Sequence, residues 1–95
     1  MAHTFEELVE KQRAADEAHT RVLHLRDAYG APTAAPWSEI QTDTYETAWR
    51  AWRDLARDAQ AAVTEYARNE GKQRTDVEED VKRAAKSPEA PSGEG

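Results

Sequence analysis

Cysteine is absent from the 95 residues, which removes disulfides, thiolate metal centres and any cysteine nucleophile. Large aliphatic residues are scarce: Leu, Ile, Val and Phe total 11, under the roughly one fifth below which a chain struggles to bury a core. Positive charge is also short. Lys and Arg number 13 against 19 Asp and Glu, for a net charge of −6, so nucleic acid and anionic membrane surfaces are not expected partners. No apolar run approaches the ~18 residues of a membrane span. The opening segment MAHTFEELVEKQ has no apolar signal-peptide stretch, so the expected location is cytoplasmic. Only four glycines occur, and no group of them forms a phosphate-cradling loop.

What is present favours helix. Eighteen of the 36 residues counted hydrophobic are alanine, a strong helix former that buries little surface. Three Trp and three Tyr partly compensate, since each aromatic can bury ~150–250 Å2. Three segments carry the capping-box pattern, a small hydroxyl or acid followed three residues later by Glu: Thr4–Glu7, Asp43–Glu46 and Thr75–Glu78.

The first box opens a helix expected over residues 5–29, closed by Gly30 and Pro32. Its apolar stripe, with Phe5, Leu8, Val9, Ala15, Val22 and Leu23, is interrupted by Gln12, Asp16 and His19, and Ala14, Ala18 and Leu25 form a second small patch. A connection follows in which Pro36 precedes Trp37 and Ile40, read as a plug over the open end of a hairpin. The second helix, expected over residues 44–69, gathers Tyr45, Ala48, Trp49, Trp52, Leu55, Ala59, Val63 and Tyr66 on one face and most charges on the other. Gly71 ends it. Residues 75–86 can form a short helix on a thin stripe of Val77 and Val81, and residues 87–95 (SPEAPSGEG) have a disordered composition.

The expected fold is therefore all-α: an antiparallel helical hairpin over residues 1–71, a short third helix within 72–86 and a disordered C-terminal tail over 87–95. Its expected core is Phe5, Leu8, Val22, Tyr45, Trp49, Trp52, Leu55, Val63 and Tyr66, and its expected partner surface is Leu25, Trp37 and Ile40.

Chemical constellations are weak. Asp16-Glu17-Ala18-His19 spells a helicase tetrapeptide, but in mid-helix and without a phosphate loop. Asp16 and His19 have the i,i+3 spacing of bundle metal sites, yet no second such pair exists in the chain. His3 and His24 share no face with His19. Arg50, Arg53 and Arg57 lie on one side of the second helix, where Asp54 and Asp58 dilute their field. Trp49 and Trp52 are in register with Leu55 and Val63, the pattern of a core stripe. No catalytic residue, metal ligand or cofactor is expected, and the chain is read as a non-enzyme.

That leaves a non-catalytic protein–protein interaction module: a small adaptor, regulator or assembly subunit. The hairpin offers only 15 large apolar side chains between Phe5 and Tyr66, and two helices leave the flanks of their seam wet where four would bury them. Self-association as a homodimer is the expected remedy, with Gln12 and His19 near its axis.

Trp37, Tyr45 and Trp52 also have a cadence similar to that of the WXG100 proteins, helical hairpins exported by type VII secretion systems. Tyr66-Ala67-Arg68-Asn69-Glu70 resembles that family's Tyr-x-x-x-acid export signal, although Glu39 stands where the family's turn carries glycine. The resemblance spans residues 5–70 in outline. It implies a secreted, partner-binding hairpin with Trp37 in the turn and Tyr66 and Glu70 in the signal, the alternative to a cytoplasmic module.

Overall fold

The computed structural model describes residues 3–31 and 35–86, so Pro32 and the expected tail at 87–95 lie outside the described residues. Three helices and no strand occur among those described: α1 (Phe5–Tyr29), α2 (Glu39–Glu70) and α3 (Arg74–Lys86). The fold is all-α.

Local chemistry explains most of the boundaries. At the start of α1 the Glu7 amide donates to Thr4 Oγ1 at 3.1 Å and the Thr4 amide donates to Glu7 Oε1 at 3.0 Å, a complete capping box. Gly30, at φ +77°, closes α1 by donating its amide to the Arg26 carbonyl. The start of α2 departs from expectation. Its N-cap is Ser38, whose Oγ accepts from the Gln41 amide while Gln41 Oε1 accepts from the Ser38 amide. A Ser-x-x-Gln box thus overrides the Asp43–Glu46 pattern, which falls inside the helix, and α2 gains its first turn from residues assigned to the connection. Gly71, at φ +66°, ends α2 in the left-handed region, with the Lys72 amide donating back to the Ala67 carbonyl. The Thr75–Glu78 pattern likewise lies inside α3, which begins at Arg74.

Long-range pairs define an antiparallel packing of α1 on α2. His3 Nε2 lies 3.1 Å from Glu65 and Lys11 Nζ lies 2.7 Å from Asp58 near one end. His19 stacks on Trp52 in the middle, with ring centroids 4.3 Å apart and planes within 18°. At the turn Trp37 makes edge contacts to Tyr29 and Tyr45.

The third helix packs over the half of the hairpin away from that turn. Val77 and Val81 are buried against Leu8, Ala62, Val63 and Ala67, with Tyr66 alongside. Two valines one turn apart are enough because the surface they meet is itself apolar. Polar contacts frame them. Arg13 donates to the Ala84 and Ala85 carbonyls, among the last carbonyls of α3 that lack an intrahelical partner. Arg74 donates to Thr64 Oγ1, to Glu78 and to Gln60.

The core differs from the expected one in a consistent way. Leu8, Val22 and Val63 are buried, and Tyr45, Trp52 and Tyr66 are half-buried. Phe5, Trp49 and Leu55, expected inside, are surface residues at 36%, 39% and 37% exposure. The buried positions of α2 are Ala48, Ala59, Ala62, Val63 and Ala67. Small side chains at the seam let two helices approach closely, and the bulky ones are displaced to its flanks. Alanine, discounted as core material because it buries little, decides where the aromatics go.

Candidate functional site

Among the described residues two stretches flanking the α1–α2 seam, one on each side, are left uncovered. Opposite α3, Ala14, Ala18 and Arg21 of α1 face Thr44, Thr47, Ala51, Leu55 and Asp58 of α2 across a shallow groove. Spacings of three and four put each set on one helical face. The α3 side is marked by Arg13 on α1 and by Gln60 and Thr64 on α2, all bonded to α3. The patch of Ala14, Ala18 and Leu25 seen in the sequence therefore belongs to the side that α3 leaves open along its length. Arg21, with Asp43 across from it, lies at one end of this groove, and Glu10, with Glu7 and His3, at the other. Among the described residues neither Arg21 nor Glu10 makes an ion pair, whereas Lys11 beside Glu10 is held by Asp58 at 2.7 Å.

On the α3 side, the part of the hairpin nearest the turn carries most of the aromatic surface. The Trp37 indole donates its Nε1–H to the Gly30 carbonyl at 2.9 Å, and its ring centroid lies 5.4 Å from Tyr29 and 5.0 Å from Tyr45. Trp49 meets Trp52 edge-on at 6.4 Å, and the Arg53 guanidinium lies 5.4 Å from the centre of the Trp49 ring. Trp37 thus plugs the turn as expected of it, but Ile40 does not: it is 77% exposed on the first turn of α2. Of the expected partner surface, Leu25 and Trp37 are half-buried.

The polar constellations are occupied structurally. Asp16 accepts from Gln12 Nε2 at 3.0 Å, while its nominal metal partner His19 is engaged with Trp52. No group of three or more His, Asp or Glu side chains able to hold a metal ion occurs among the described residues. His3 bridges Glu7 and Glu65, at 3.6 Å and 3.1 Å. Glu78 shows a clear electrostatic perturbation. Its hydrogen bond to Lys82 holds its carboxyl below the ordinary value of 4.5, helped by Gln60 and Arg74 and opposed by burial. The ion pairs of Glu78 with Arg74 and Lys82 lie within α3, and its hydrogen bond from Gln60 links that partly buried cluster to α2, a structural role.

No helix among the described residues is long and apolar enough to cross a membrane. No protein-family model matches the chain, and no curated protein or solved structure matches it.

Proposed function

We propose that this chain is a non-catalytic protein–protein interaction module that self-associates through the open groove opposite α3. The observation that carries the reading is the layout of that groove. Ala14 and Ala18 lie level with Leu55 and Ala51, forming an apolar centre. Glu10 and Arg21 flank it eleven residues apart on α1, three helical turns or about 16 Å. A two-fold axis through the centre and perpendicular to the helices brings Arg21 of one copy to the level of Glu10 in the other. All four helices then run antiparallel to their neighbours, the arrangement of an up-down bundle. The small side chains permit close approach, and the two charges take flanking positions like those that set pairing in coiled coils. Over the ~21 Å from Thr44 to Asp58 a face about two helices wide presents roughly 400 Å2, half of the ~800 Å2 per partner of a standard interface, which fits a dimer that forms only as concentration rises.

Sedimentation and native mass measurements over a hundredfold range of concentration test this. Dimer is expected at the upper end. Arg21→Glu and Glu10→Lys should each shift the chain to monomer, and an equimolar mixture of the two variants should restore a heterodimer, because both cross-pairs are then attractive. A monomer at every concentration, or no recovery on mixing, overturns the reading. The axis then passes through alanines, not through Gln12 and His19, which contact Asp16 and Trp52 within the same chain.

A second reading, a hairpin exported in the manner of WXG100 proteins, is supported by Trp37 packing where the connection meets both helices and by Tyr66 and Glu70 one turn apart at the end of α2. Export assayed in a host with a type VII system, with Tyr66→Ala and Glu70→Ala as controls, tests it. Absence of the wild-type chain from the medium overturns it.

A further inference from the structure

The hairpin flank that receives α3 continues past the end of that helix toward the turn. There it is hollowed twice, and the two hollows share Tyr45 and Glu46 as the ridge between them. Trp37 and Arg26 complete the hollow nearer the turn. Trp49, Arg50 and Arg53 complete the other. Three aromatic residues thus stand in sequence along one groove, and each is braced before any ligand arrives: Trp37 by its bond to Gly30, Tyr45 by the Trp37 edge, Trp49 by Trp52 and Arg53. Such rigid, amphipathic platforms lose little entropy on binding.

Charge narrows the occupant. The whole chain carries −6, yet among the described residues these hollows are lined by three arginines and one acid: Arg50 pairs with Glu46 at 3.7 Å and Arg53 with Asp54 beside the hollow at 3.5 Å, which still leaves the lining net positive through Arg26. Shape narrows it further. A ridge separates hollows about one helical turn apart, roughly 6 Å. That matches two residues of polyproline II at ~3.1 Å each, and grooves lined by aromatic rings are the kind that proline-rich extended segments occupy. We propose that this groove is a docking site for an extended, proline-containing acidic peptide segment of a partner protein. The proline rings stack on Trp37, Tyr45 and Trp49, and glutamates between them meet Arg26 at one end and Arg50 and Arg53 at the other. The site is on the opposite flank from the self-association groove and does not depend on it.

The probe is a capped nonapeptide of three Pro-Glu-Pro triplets, titrated into the full chain and followed by tryptophan fluorescence and by the indole N–H signals of Trp37 and Trp49. Saturable binding is expected, with both signals shifting and affinity falling as salt is raised. Trp49→Ala should weaken binding about tenfold. Because Trp49 is partly exposed this variant should remain helical; Arg53→Glu, a change on the exposed surface, is a second test and should weaken binding by a similar factor. The inference is overturned if the peptide does not bind, if Pro-Lys-Pro triplets bind as well, or if neither variant weakens binding. Equal binding by a helix-forming peptide of Ala-Glu-Ala triplets overturns the extended occupant.

Discussion

Trp49 and Trp52 are three residues apart on one helix and do different work. Trp52 lies half-buried against the His19 ring, between the two helices, while Trp49 stands 39% exposed, with the edge of Trp52 and the Arg53 guanidinium against it. Full burial would make truncation of a tryptophan cost ~3–5 kcal/mol. Half-burial places Trp52→Ala at about 2–3 kcal/mol, whereas Trp49→Ala should cost no more than about 1 kcal/mol, as surface changes do. Urea unfolding of both variants measures the difference, and equal losses would remove the distinction drawn between seam and groove. Val81, 1% exposed, belongs to a third category. Val81→Asp would bury an unpaired carboxylate and should release α3, read as a loss of helical signal smaller than complete unfolding.

For the helices as elements, the start of α2 gives a clean comparison. Ser38 supplies a side-chain acceptor to an otherwise orphaned amide, and Ser38→Ala should cost about 1 kcal/mol. Asp43 sits inside the helix, so Asp43→Ala should be neutral or slightly stabilising, reflecting the better helix propensity of alanine. The reverse outcome would restore a helix starting near Thr44. The attachment of α3 carries a pH dependence through Glu78. Its carboxyl titrates lower in the fold than in the unfolded chain, so it binds protons less readily when folded. Its contribution is complete above the ordinary value of 4.5 and is lost as pH falls through the lower folded value. Glu78→Gln should therefore flatten the fall in thermal stability below about pH 4.5 while changing little of the helix content at pH 7.

For the whole molecule, the third helix changes the argument for self-association without removing it. It covers one flank of the seam over the half remote from the turn, where Val77 and Val81 supply apolar surface that the hairpin lacks. Among the described residues the opposite flank stays open from Lys11 to Arg21. The melting temperature should accordingly rise with protein concentration, since association stabilises by mass action. Arg21→Glu should abolish that rise while leaving the dilute-limit melting temperature unchanged, because Arg21 makes no ion pair among the described residues. A melting temperature independent of concentration in the wild type would mark a self-contained three-helix monomer.

Helix content, the capping box at Thr4 and the stops at Gly30 and Gly71 follow from local rules that act within four or five residues, and the sequence alone determined them. So did the antiparallel hairpin, because two long amphipathic faces joined by a short connection have few other ways to be buried. Ser38 and Gln41 were equally legible as a capping box, since Gln serves at N3 as Glu does; the Asp43 pattern simply drew the boundary away from them. The choice of which side chains are inside was a tertiary decision. A helical stripe records direction around one axis, and it cannot say how near the second helix will come. Once Ala48, Ala59 and Ala62 set a close approach, Trp49 and Leu55 had no room at the seam and moved to its edges, where the two candidate surfaces arise. The docking of α3 was likewise settled by surface from three helices meeting at Leu8, Val63 and Val81, a contact distributed over 74 positions of sequence and invisible to any local pattern.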